Sequence, residues 1–214
     1  MEIAIPLFDR FTALDAIGPY QVLSALPGAT VRFLAAEPGP VRTDNGMLTV
    51  LAEGRYEDAP EPEVLVVPGG PGTRALLSDE RLLGWVRSAH ESSRYTTSVC
   101  TGSLVLAAAG LLDGIDATTY WASRDELAAL GAQPVAERVV ERGKVITAAG
   151  VSAGIDMALR LAELLAGTQT AQAIQLLIEY DPQPPFDTGS PDKAPAEVLE
   201  LVTGARPPEE APGP

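Results

Sequence analysis

An α/β fold built on a mainly parallel sheet, with helices on both faces, is the fold class this sequence predicts. Two observations carry the prediction. Short apolar segments rich in β-branched residues alternate along the chain with amphipathic stretches of helical period, the pattern of successive βαβ units. Those segments are apolar at nearly every position rather than at every second one, as strands covered on both faces are.

The elements follow in order. A first strand is expected over residues 2–8 (EIAIPLF) and a first helix over 16–26. A second strand, 29–36, leads into 38–53, where turn residues surround two short apolar runs. That stretch reads as a hairpin with its bend at Asp44-Asn45-Gly46. Further strands are expected at 63–67, 95–99 and 144–148, each bounded by Gly, Pro or a charge. Helices are expected over 79–91, 101–112, 124–130, 152–165 and 170–179. Ser78-Asp79-Glu80 offers an N-cap and first-turn acids ahead of Leu82, Leu83, Trp85 and Val86. From Pro182 the chain turns Pro-rich and acidic, predicting an extension around one short helix, 196–202, with mobile last residues. The expected organisation is one domain over 1–181 and a C-terminal extension over 182–214, without internal repeats.

Composition narrows the function classes. The 214 residues are 46% hydrophobic and 21% charged, enough apolar material for a sizeable core. Lys and Arg number 15 against 29 Asp and Glu, a net charge of -14, and the pI is about 4.4. Such a surface repels phosphate backbones and anionic lipid, so neither nucleic acid nor a membrane is an expected partner. With one Cys and one His, no intrachain disulfide and no usual structural zinc site can form. The opening MEIAIPLFDRF lacks a basic region and a long apolar run, so no signal peptide is expected. No apolar run approaches the roughly 20 residues that span a bilayer. A soluble, cytoplasmic, metal-free protein is the expectation.

In such a sheet, ligands bind beyond the carboxyl ends of the strands, at the turns into helices. The sharpest of these turns is Ser98-Val99-Cys100-Thr101-Gly102-Ser103. Cys100 stands between an apolar strand and a helix, in a geometry like a nucleophile elbow, although the Gly-x-Ser-x-Gly spacing is absent. The helix N-terminus, with its partial positive charge and free N–H groups, favours thiolate over thiol there. The alternative is that Cys100 is a small buried apolar residue. A second turn, Val66-Val67-Pro68-Gly69-Gly70-Pro71-Gly72, follows a neighbouring core strand. Gly70 can present a backbone N–H which, with that of Thr101, makes an oxyanion-hole pair; a plain tight turn or a phosphate cradle are the other readings. No Gly-Lys-Ser/Thr follows, which excludes a P-loop.

The one histidine, His90, falls near the end of the helix before the cysteine strand, at the opposite end of the sheet, and reads as a solvated helix-end residue. A Cys-His dyad is therefore not expected, and a carboxylate must carry protons. The candidate is Asp15 in Leu14-Asp15-Ala16-Ile17-Gly18-Pro19-Tyr20, whose pKa a dry pocket raises. Asp15 also fits the simpler role of helix N-cap. Ser152 reads as the cap of the long helix near the C-terminus, and Asp156 as a first-turn acid.

These motifs together resemble the DJ-1/PfpI superfamily, which shares its core with class I glutamine amidotransferases. The resemblance runs from about Ile3 to about Glu179. It is carried by Val67-Pro68-Gly69-Gly70, by Ser98 to Ser103, and by Gly150-Val151-Ser152-Ala153-Gly154-Ile155-Asp156. It implies a flavodoxin-like three-layer αβα sandwich, a homodimer, and Cys100 as nucleophile. The peptidase-like branch has His after the Cys, where this chain has Thr101; the glutaminases need a later His-x-Glu, absent here. Leu14-Asp15-x-x-Gly18-Pro19-Tyr20-x-Val22-Leu23 with Cys100-Thr101-Gly102 is similar to the isonitrile hydratases. That similarity implies hydration of a small-molecule isonitrile to an N-substituted formamide without a cofactor. Cys100 is then nucleophile, Asp15 acid and base, and Thr101 an assisting hydroxyl and amide donor. Ile17, Gly69, Tyr120 and Trp121 are candidates for the pocket wall. Relatives often carry His in the Thr118-Thr119-Tyr120-Trp121 stretch; Tyr120 in that place weakens histidine-dependent chemistry. Glyoxalase or deglycase action on α-oxoaldehydes is the competing activity, and a cysteine redox sensor the non-enzymatic alternative. The superfamily's transcription regulators carry a basic DNA-binding domain, for which this chain has neither length nor charge.

Overall fold

A computed structural model describes residues 1–204. The chain falls into two compact units, Met1–Glu179 and a second beginning at Tyr180. The expected mobility of the last residues concerns positions outside those described.

In the first unit β1 (Glu2–Pro6), α1 (Ala13–Leu23) and β2 (Thr30–Ala35) come first. Next are β3 (Gly39–Arg42), β4 (Thr49–Ala52), β5 (Gly54–Arg55) and β6 (Val64–Val67). After these stand α2 (Thr73–Leu76), α3 (Glu80–Ser92), β7 (Tyr95–Val99) and α4 (Gly102–Ala108). The unit continues with β8 (Asp116–Ala117), α5 (Arg124–Ala129), β9 (Gln133–Pro134), β10 (Val139–Arg142) and β11 (Val145–Ala148). It closes with α6 (Ala153–Ala166) and α7 (Thr168–Leu177); α8 (Ala196–Gly204) belongs to the second unit.

The main sheet is seven-stranded in the order β10-β11-β7-β6-β1-β2-β5. All its pairs are parallel except β10 with β11. Counted among themselves along the chain, the central strands run 2-1-3-4-5, the flavodoxin-like order, and the order reverses between β1 and β6. The all-apolar strands divide their side chains by alternation. Ile3, Ile5, Val64 and Val66 pack with α1, α6 and α7, while Ala4, Leu65 and Val67 pack with α3, α4 and α5. The expected three-layer sandwich is present, with a core on each face of the sheet.

Several boundaries differ from the expected ones for physical reasons. The first helix starts three residues earlier, at Ala13, because Thr12 occupies the cap. This puts Asp15 inside the first turn rather than at the cap. The cysteine-turn helix stops at Ala108, where the chain leaves through Gly110 at φ 81°. Asp79 caps α3 as read, its carboxylate accepting the N–H groups of Arg81 and Leu82. Ser152 holds the cap position of α6 but makes no cap bond; its hydroxyl accepts from Arg138, which also pairs with Asp156. The hairpin over 38–53 is present as antiparallel β3 and β4. Unforeseen was β10, which folds back on β11 through Gly143 at φ 60° and Lys144.

Candidate active site

Cys100 leaves β7 with φ 56°, a left-handed conformation that costs a non-glycine residue about 1–2 kcal/mol. Hydrogen bonds on both sides hold it there. Its N–H donates to the carbonyls of Ala148 and Ala149, at 3.1 and 3.0 Å. Its own carbonyl accepts the hydroxyls of Thr119 (3.0 Å) and Ser103 (3.1 Å). Glycine at 102 is obligatory, since a Cβ there would lie 2.1 Å from the Val67 carbonyl oxygen. The elbow therefore presses directly on the β6 turn.

That turn is clasped to the elbow through Thr101. The Thr101 hydroxyl accepts the Gly70 N–H at 2.9 Å and donates to the Gly70 carbonyl at 3.1 Å. Its only proton is thereby engaged. The expected assisting hydroxyl is thus a structural clasp, and the expected Gly70 donor is turned onto Thr101 rather than toward a reacting atom. The N–H groups that favour the charged form of the sulfur are those of Thr101 and Val151. Val151 escaped the sequence reading, although it stands in the third glycine-led turn, after the strand that pairs with β7. Its φ of 24° marks it as a second constrained residue beside the sulfur. Thr119 escaped as well; a buried hydroxyl leaves no signature in a Thr-Thr pair.

Asp15 is fully buried on α1. Its Oδ2 accepts the Gly69 N–H at 3.0 Å, while Oδ1 has no hydrogen-bond partner among the described residues. The Cys100 thiol is its side-chain neighbour. Gly69 is wedged between Asp15 and Thr101 of the elbow, for a Cβ there would lie 2.5 Å from Thr101 N and 2.9 Å from Asp15 Oδ2. Burial raises the Asp15 carboxyl to about 7, against the Gly69 N–H and the thiol, with Asp44 adding to the rise. Burial also pushes the Cys100 thiol far up, and the Asp15 charge adds to it, against the N–H groups of Thr101 and Val151. The thiolate expected from the helix N-terminus is therefore not the resting form: desolvation outweighs the two donors, and the sulfur keeps its proton.

The remaining candidates lie farther out. Tyr120 packs on the elbow side, its ring 3.0 Å from where a Gly150 Cβ would stand, and tilts against Trp121. Both aromatics are half-buried. Ile17 is two residues beyond Asp15 in α1, so the helix turns it to the other side. Asp15's own face carries Gly18, which meets Ile155 of α6. His90 is half-buried rather than solvated: its Nδ1 is 2.9 Å from the Thr96 hydroxyl, at the start of β7 and away from Cys100. A cavity of about 520 Å³ near Phe8, Glu37, Arg42 and Tyr56 includes neither Asp15 nor Cys100. Among the described residues no group of three or more His, Cys, Asp and Glu is placed to hold a metal ion, and no helix is long and apolar enough to cross a membrane.

A parallel sandwich of this strand order, with a cysteine at a strained elbow and a buried acid beside it, defines a class of protein. The DJ-1/PfpI family profile matches residues 1–164, and the chain belongs to that family. An isonitrile hydratase of Pseudomonas putida is 48% identical over 200 residues, covering 94% of this chain and 87% of that protein. A ThiJ/PfpI family protein from Pseudomonas syringae, known by its crystal structure, superposes with a TM-score of 0.90 at 40% identity, over 95% of this chain and 86% of that one. The transcriptional regulator CdhR of Pseudomonas aeruginosa is 33% identical over 174 residues, 79% of this chain but 51% of the regulator.

Proposed function

We propose that this chain is an isonitrile hydratase, converting R–N≡C and water to R–NH–CHO through a covalent intermediate on Cys100. The observation that carries the reading is the fully buried Asp15 carboxyl neighbouring the buried Cys100 thiol. The close similarity to a protein of that activity supports it.

The chemistry follows from the protonation of the pair. The Asp15 carboxylate takes the thiol proton as sulfur bonds to the isonitrile carbon, and the same proton passes to that carbon. The product is the thioimidate R–N=CH–S–Cys100. Asp15, again a carboxylate, then removes a proton from water as hydroxide adds to the carbon, and passes that proton to the nitrogen. Collapse expels sulfur, which recovers its proton, and releases the formamide. Covalent catalysis here splits one difficult addition into two easier ones. A proton carrier poised near 7 can serve in both directions. The shape fits too: Cys100 is 5% exposed, and the carbon of an isonitrile is the slim end of a linear group.

An assay of simple alkyl and aryl isonitriles for formamide release tests the reading. Release by the wild type, abolished in Cys100→Ala, is expected. Lactate from methylglyoxal with no formamide from any isonitrile overturns it in favour of glyoxalase chemistry. The reading extends to a cytoplasmic homodimer, which light scattering and cell fractionation test directly.

A further inference from the structure

The β3–β4 hairpin is joined to the chain that enters α1. The Arg10 N–H donates to the Arg42 carbonyl at 3.0 Å, and the Asp44 N–H to the Phe11 carbonyl at 2.9 Å. The Thr12 hydroxyl, at the cap of α1, donates to Asp44 Oδ2 at 2.8 Å. The Asn45 N–H donates to Asp44 Oδ1 at 2.8 Å. Each oxygen of Asp44 thus accepts a hydrogen bond that fixes its position. Three residues past that cap lies Asp15, within electrostatic reach of Asp44.

We propose that Asp44 is a positioning residue for the reaction: its carboxylate, pinned to the cap of α1, is a fixed negative charge that tunes how readily Asp15 exchanges a proton with Cys100. Helix geometry alone works the other way, because the N-terminus of α1 favours a charged Asp15 in its first turn. A second carboxylate nearby opposes that, as paired carboxylates do. The groups facing Asp15 from each side make Asp44 the adjustable one. The elbow presents the Cys100 thiol, and the β6 turn presents only the neutral Gly69 N–H. Helix α6 meets α1 through Gly154 and Ile155, which carry no charge. The hairpin presents Asp44. Asp15 is poised near 7 with Asp44 contributing to the rise, so loss of that charge favours the carboxylate at lower pH.

The test is an NMR titration of the Asp15 side-chain carboxyl in the whole protein and in Asp44→Asn, with the pH profile of isonitrile turnover alongside. In Asp44→Asn the Asp15 midpoint is expected to fall by about half a pH unit. Turnover well below the midpoint, relative to pH 8, then rises about threefold. Asp44→Glu is expected to restore both, which a merely structural role for the hairpin would not require. An unchanged midpoint in Asp44→Asn overturns the proposal. The kinetic arm rests on the hydratase reading and the titration does not: a shifted midpoint without formamide from the wild type sinks that reading and leaves this one standing.

Discussion

The Asp15 carboxyl and the Cys100 thiol act on each other although they follow strands that do not touch: β6 lies between β1 and β7. The intervening turn carries glycine at 69, where a side chain would collide with both Asp15 and Thr101 of the elbow.

Removing either group is expected to stop the reaction for different reasons. Cys100→Ala eliminates the intermediate, whereas Asp15→Asn retains an oxygen for the Gly69 N–H but carries no proton. Formamide release should fall by at least about 100-fold in Asp15→Asn, with the fold retained by circular dichroism. Wild-type rates in that variant would remove Asp15 from the mechanism.

The pH dependence has opposite signs for activity and stability. Turnover needs the Asp15 carboxylate, so kcat is expected to rise with pH through about 7. Stability moves the other way. The folded carboxyl holds its proton up to about 7 and the unfolded one only to the ordinary carboxylate value of 3.8. Folding is therefore favoured below that value, and the advantage, on the order of a few kcal/mol, is lost as pH rises to about 7. Urea titrations from pH 4 to 8 should show this slope, flattened in Asp15→Asn.

Gly69→Ala is expected to abolish activity and destabilise the protein by about 1–3 kcal/mol. The added methyl would stand 2.5 Å from the Thr101 nitrogen and 2.9 Å from Asp15 Oδ2, so it must part the acid from the elbow. Denaturant midpoints with a formamide assay check both effects; normal turnover would show that the gap is not needed.

Thr119→Val removes one of the hydroxyls that hold the Cys100 carbonyl, leaving Ser103. A loss of about 1 kcal/mol in stability is expected, with kcat reduced more than KM changes because the elbow alone is disturbed. A change confined to KM would contradict the role.

His90→Gln is the control at the far end of the sheet. Burial and Lys144 hold the imidazole below its ordinary value. The folded protein therefore resists its protonation, and stability present above about 6.5 is lost as pH falls below it. The variant should lose that acid sensitivity and keep wild-type kcat/KM.

What was legible in the sequence was local or periodic. The apolar runs, the helical periods, the hairpin bend at Asp44-Asn45-Gly46 and the cysteine turn all express preferences spanning a few residues. The sandwich follows from them because connections in such sheets obey narrow rules. Asp15 and Cys100 stand out as candidates for the same local reason, each following a strand at its turn into a helix.

What the sequence left open depends on groups brought together from distant segments. The thiolate expected from the helix N-terminus gave way to a thiol because burial beside Asp15 outweighs the N–H groups of Thr101 and Val151, and burial is a property of the packed whole. Gly70 and the Thr101 hydroxyl, expected to face substrate, bond each other instead, since two turns pressed together must satisfy their own polar groups first. Residue types and strand pattern determined the fold and which chemistry was available. Only the tertiary structure decided which proton sits where, because that balance is set by desolvation and by neighbours remote in the chain.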